Sequence, residues 1–182
     1  MTRSAFNEPD RVVAAYTYEL PFGRGRTLLN HGGVLDEIVG GWSTSGSYNI
    51  HSGYPTTIYS GLPNRTGSLA GGVFANRVGN PGQKTTTQWF NPANFADPAP
   101  YTYGNSGRNS TYVPGYWNLD ANLQKHFKIT ESIKMLLRVD AFNVFNHKNL
   151  GEPGATIDLP NTGVISSSTE QRILEVGSQI QF

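Results

Sequence analysis

Cysteine is absent from the 182 residues. This excludes a disulfide framework and any thiolate metal site. No apolar run approaches the ~20 residues that a transmembrane helix needs. Charge is sparse and balanced, with 14 basic and 13 acidic residues, which leaves no basic footprint for nucleic acid. The signatures of common catalysis are missing as well. There is no Gly-x-Ser-x-Gly elbow, no His-Glu-x-x-His and no phosphate loop ending in Gly-Lys-Ser/Thr. Gly23-Arg24-Gly25 lacks a helix-opening context and reads as a turn. An enzyme is therefore not expected. His31, His51, His126 and His147 stand far apart with no i,i+4 pair, so neither a metal nor another cofactor is expected. The first residues, Met1 to Pro9, lack the apolar core of a secretory signal.

What the chain does contain is alternation. Between Arg172 and Phe182, Leu174, Val176, Ile180 and Phe182 point one way, while Ile173, Glu175, Gly177, Gln179 and Gln181 point the other. A strand has a side-chain period of two, so this segment has one apolar and one mostly polar face. The same reading predicts long strands at 10–20, 42–58, 116–127, 133–145 and 172–182. In the third, Trp117, Leu119, Ala121, Leu123 and Phe127 oppose Asn118, Asp120, Asn122, Gln124 and His126. In the fourth, Ile133, Met135, Leu137, Val139 and Ala141 oppose Lys134, Leu136, Arg138 and Asp140. Gly53 and Pro55 are expected to bend or bulge the far end of the second. Val34, Leu35, Ile38 and Val39 have helical spacing in the connector after the first.

The connections alternate in length: 21–41 is medium, 60–115 very long, 128–132 very short and 146–171 long. Soluble strands average about five or six residues, so several runs this long favour an outer-membrane β-barrel over a sandwich. The expected fold is all-β: up-and-down antiparallel strands forming an open segment of a large transmembrane barrel. Loops 60–115 and 146–171 fall on the outer side, and a short hairpin inside the first is allowed for. Trp42, Phe127 and Phe182 fall at predicted periplasmic strand ends, and Tyr116, Trp117 and Phe145 at outer ends, where aromatic girdles form. Five strands are too few to close a barrel, since small ones need about eight. The chain is thus expected to be a segment, not transport-competent alone. The alternative is a soluble β-sandwich carbohydrate-binding module.

A resemblance carries the reading further. The run Tyr18-Glu19-Leu20-Pro21-Phe22-Gly23-Arg24-Gly25 is followed by Gly40-Gly41-Trp42 and Ser52-Gly53-Tyr54-Pro55. Then come Trp89-Phe90-Asn91-Pro92, Gly104-Asn105-Ser106-Gly107-Arg108-Asn109, Pro114-Gly115-Tyr116-Trp117-Asn118-Leu119-Asp120, and the run from Arg138 to His147. Their order and spacing resemble the late barrel region of TonB-dependent outer-membrane receptors, nearest the Oar-like subgroup with a carboxypeptidase-regulatory-like N-terminal domain. The resemblance implies a barrel of about 22 strands closed by a plug. It also implies import of large or scarce solutes, such as iron chelates or oligosaccharides. The implied partners are outer-membrane lipid, the barrel-assembly machinery, the rest of the barrel with its plug, and TonB acting through that plug.

Three sets of site residues follow. Asn118, Asp120, Asn122, Arg138, Asp140 and Glu175 are expected to face the lumen, because a Lys or Arg on the lipid face at mid-bilayer costs about 2–4 kcal/mol. Lys125 alone falls on the apolar face, near the periplasmic end, where it is expected to snorkel. Tyr101, Tyr103, Arg108, Asn109 and Tyr112 are outer-loop candidates for stacking on and hydrogen-bonding a solute, weighed against a loop packed on itself. Leu174, Val176, Ile180 and Phe182 are expected to form the assembly signal, which the resemblance places in a terminal aromatic strand.

Overall fold

Alternating side chains favour extended backbone, because only a pleated strand sends neighbours to opposite faces. The computed structural model describes residues 3–23, 25–29, 33, 38–63, 66–67, 72–82, 84–169 and 171–182. Among the described residues nine strands follow in order: β1 (Arg11–Glu19), β2 (Trp42–His51), β3 (Pro55–Thr56), β4 (Asn76–Arg77), β5 (Phe95–Ala96), β6 (Thr111–Tyr112), β7 (Tyr116–Lys128), β8 (Lys134–Phe142) and β9 (Ile173–Gln181). They fall into two compact units. The sheet unit comprises Val12–Ile50, Trp117–His147 and Gln171–Phe182, and the loop unit comprises Met1–Arg11, His51–Tyr116 and Lys148–Glu170. Ile38 and Val39 are helical, whereas Val34 and Leu35 of the predicted helix, Arg24 of the predicted turn and His31 lie outside the described residues.

The sheet unit has the strand order β1-β2-β7-β8-β9 and is open, with β1 and β9 at its two edges. Antiparallel pairing puts Leu123 opposite Val139, and Val139 opposite Val176. Phe127, Met135 and Ile180 form a parallel row, as do Ala121, Ala141 and Leu174. One residue along, Asn122, Asp140 and Glu175 make a row on the opposite face. A one-residue slip would exchange the two faces, so this register keeps the greasy and polar sides apart.

Two strand ends differ from the sequence reading. The strand predicted over 133–145 stops at Phe142. There Asn143 takes a left-handed φ of 52° and Asn146 the same, and asparagine tolerates that region best after glycine. The Asn143 side chain closes the turn: its Oδ1 accepts from the His147 N–H and its Nδ2 donates to the His147 carbonyl, both at 2.9 Å. The strand predicted over 42–58 ends at His51, and Pro55–Thr56 pairs instead with Thr111–Tyr112. Gly53 enforces the break. A Cβ there would lie 1.8 Å from the Val113 carbonyl oxygen, an approach that only glycine permits.

The loop unit is not a set of bare loops. Ile58, Ala75, Phe90, Phe95 and Ile157 form a buried cluster, with Trp89 and Ala155 packed on it. The rings of Phe90 and Phe95 meet edge to face at 5.5 Å. The segment through Ile58 sits between two others: Ala75 N–H donates to Ile58 O at 3.0 Å, and Ile157 N–H to Tyr59 O at 2.9 Å. The hairpin allowed for within 60–115 is present: Asn76–Arg77 pairs antiparallel with Phe95–Ala96, and between them Gly82 bridges Phe90 while the Thr85 N–H donates to the Gln88 carbonyl at 3.1 Å. Asn91 caps a single 3-10 turn, Pro92–Asn94, by accepting from the Ala93 N–H.

Candidate functional site: an amphipathic wall and a loop cavity

The wall carries its polar groups in two hydrogen-bonded clusters on one face. Asp140 Oδ2 receives the Arg138 guanidinium at 2.7 Å. Asp140 Oδ1 accepts from Asn122 Nδ2 at 3.3 Å, and Asn122 Oδ1 accepts from Ser45 Oγ at 2.9 Å. Asn118 Nδ2 donates to Asp120 Oδ1 at 2.9 Å, and the same oxygen accepts the Asn143 N–H at 2.8 Å. Five of the six residues predicted to line the lumen are thus tied into hydrogen bonds or ion pairs on one face. Glu175 sits directly opposite Asp140. Like charges so placed repel, and the Arg138 pairing along the strand offsets that repulsion.

The other face is greasy and uncovered. Val176 is 73% exposed, Leu174 62% and Ile180 53%, and Phe182 is exposed too. All nine residues of β1 are exposed. A sandwich needs a second layer on such a face, and a water-soluble monomer rarely leaves so broad an apolar patch bare. This exposure overturns the sandwich alternative. Among the described residues no helix is long and apolar enough to cross a membrane, a criterion that does not bear on strands.

Aromatic clusters mark both ends of the wall. Trp117 stacks on His147 at 4.2 Å and meets Phe145 at 5.7 Å. At the opposite end Lys125 departs from expectation. It does not snorkel: it is 2% exposed, its ammonium donates to the Gly40 carbonyl, and it lies 5.6 Å and 5.1 Å from the ring centroids of Trp42 and Phe127. The carbonyl and two π-faces replace the water that snorkelling would have kept. Lys125→Ala strips that charge-assisted bond and leaves a void. It is expected to lower the stability of the wall by about 1–3 kcal/mol, read as an earlier midpoint in urea unfolding from lipid vesicles.

The loop unit holds an open cavity of about 720 Å³, lined among others by Phe6, Glu8, Arg11, Tyr54, Tyr59 and Arg108. Of the predicted loop contacts, Arg108 and Asn109 reach it. Asn109 is buried and spent on structure: its N–H donates to Thr57 Oγ1 at 2.9 Å and its Nδ2 to the Arg3 carbonyl at 2.6 Å. Tyr112 is likewise engaged, its hydroxyl accepting from Asn7 Nδ2 at 3.3 Å and its ring lying under Arg3. Tyr101 lines a separate, smaller hollow of about 100 Å³ and Tyr103 is exposed, so the five candidates do not form one site. Glu8, Arg11, Tyr54 and Tyr59 were not anticipated as site residues. The only advance signal was Ser52-Gly53-Tyr54-Pro55, whose break brings Tyr54 into the loop unit.

Partial burial, the hydrogen bond from its hydroxyl to Glu152, and the charge of that carboxylate push the Tyr54 phenol up to about 12 from 10.0. A raised folded pKa means the contact stabilises fully below pH ~10 and is lost as pH climbs through the folded value. Glu152→Gln removes the charge but not the burial. It is expected to bring the phenol part of the way back towards 10.0, measured as a phenolate absorbance difference against Tyr54→Phe.

An open antiparallel sheet with a bare apolar face, a hydrogen-bonded polar face and aromatic ends is the wall of a transmembrane β-barrel. Comparison with family models agrees: the outer membrane beta barrel domain matches residues 1–180, and the chain belongs to that family. No curated protein and no solved structure matches it.

Proposed function

We propose that the chain forms part of the wall of a TonB-dependent receptor barrel that imports large or scarce solutes such as iron chelates or oligosaccharides. One observation supports a barrel with more strands than these five. The sheet ends at β1 and β9 without closing. Each unpaired edge group left in hydrocarbon costs several kcal/mol, so further strands of the same barrel must pair with both edges. The role of this segment is then scaffolding: an apolar belt for lipid, a polar lining for the lumen and a structured loop unit for capture. It performs no catalysis and does not transport by itself. The order of the motifs from Tyr18 to His147 supports the receptor class over a passive pore.

The test is energy dependence. Cells that rely on this protein for a ferric chelate or an oligosaccharide should stop growing on it when TonB is depleted. Undiminished growth without TonB would assign the barrel to passive diffusion instead.

A further inference from the structure

We propose that the loop-unit cavity binds a ring-bearing carboxylate, which names the solute class for the import reading above and rests on it only for its biological use. The volume, about 720 Å³, lies within the range of small-molecule sites, roughly 300–1,000 Å³. Three aromatic side chains, Phe6, Tyr54 and Tyr59, contribute to the lining and suit a flat or sugar ring. The Tyr54 hydroxyl is committed to Glu152, so Tyr54 offers its ring rather than a donor.

Charge selects the rest of the ligand. Glu8 already pairs with Arg11 at 3.5 Å and lies 3.8 Å from His51. Arg108 makes no hydrogen bond or ion pair with any described residue, yet lines the same cavity. Among the described residues no carboxylate pairs with this guanidinium, and the Glu152 carboxylate beside the lining is held by the Tyr54 hydroxyl. The planar fork of the guanidinium matches a carboxylate in two parallel hydrogen bonds. The neighbouring residue explains how it is held. Asn109 adopts a left-handed φ of 56° and is clamped to Thr57, which fixes the backbone next to Arg108. Asn109 is thus a positioning residue.

The experiment uses isolated outer membranes carrying the protein in its complete barrel. The probes are digalacturonate against neutral galactobiose, and naphthoate against naphthamide. At least one acid should bind saturably and about tenfold or more tighter than its neutral partner, and the arm that binds separates an acidic saccharide from an aromatic acid. Arg108→Gln should weaken that binding about tenfold with an unchanged amount of heat-modifiable barrel, because the side chain is exposed and holds no other described residue. Equal binding of acid and neutral probes, an unaffected Arg108→Gln variant, or no binding of either acid would overturn the proposal. Binding to isolated membranes needs no TonB. A negative result here leaves energy-dependent uptake standing, and a TonB-independent barrel leaves the binding result standing.

Discussion

Val139→Arg is expected to destabilise the folded barrel by about 2–4 kcal/mol, roughly a thirtyfold to nearly thousandfold loss in the folding equilibrium. Val139 lies on the greasy face between Leu123 and Val176, the middle of a three-strand apolar row. An arginine there meets hydrocarbon, and its chain is too far from either aromatic end to reach water cheaply. Glu175→Arg is the matched control: the same charge, one residue along β9 from Val176, on the polar face and opposite Asp140. It exchanges a like-charge pair for an opposite one and should be neutral or mildly stabilising. Urea unfolding of the complete barrel in lipid vesicles reads both. Similar losses for the two variants would mean that the faces do not differ in environment.

Phe90→Ala is expected to cost the loop unit about 3–5 kcal/mol, the usual range for deleting a fully buried aromatic. Phe90 is 1% exposed, lies against Phe95 and belongs to the same cluster as Ile58, Ala75 and Ile157. Its backbone is also pinned, since Gln88 Nε2 donates to its carbonyl at 2.7 Å. Limited proteolysis should show new, rapid cleavage within the segments His51–Tyr116 and Lys148–Glu170. Cleavage no faster than in the parent would mean that these segments do not depend on a common core.

The two halves of the molecule were unequally legible in the sequence, for a physical reason. The predicted strands at 10–20, 116–127 and 172–182 lie within a residue of β1, β7 and β9 at each end. Membrane strands must alternate along their whole length, so each carries many independent votes for its period. The loop unit has no such repetition. Its core draws single residues from Ile58 to Ile157, and its strands are two residues long, too short for any period to show. The cavity is assembled from three distant segments, around Glu8, Tyr54 and Arg108. Arg108 was visible as a polar residue in an outer loop. That Asn109 beside it serves the backbone rather than a solute is a matter of tertiary packing. Lys125 shows the same limit: its place on the apolar face was readable, but its cover of Trp42, Phe127 and the Gly40 carbonyl was not.

These 182 residues contain no cysteine, so once any cysteine elsewhere in the barrel is replaced each introduced thiol is unique and the central claim is directly measurable. Single cysteines at Leu123, Asn122, Val139, Asp140, Val176 and Glu175 sample both faces of three adjacent strands at one depth. In the assembled barrel in lipid, a fluorophore attached at positions 123, 139 and 176 should be quenched by a lipid-borne spin label, and the same thiols left unlabelled should be spared by a water-soluble maleimide. Positions 122, 140 and 175 should show the reverse. Apolar-face thiols shielded from lipid and water alike would place that face in a dry protein interior and contradict the account.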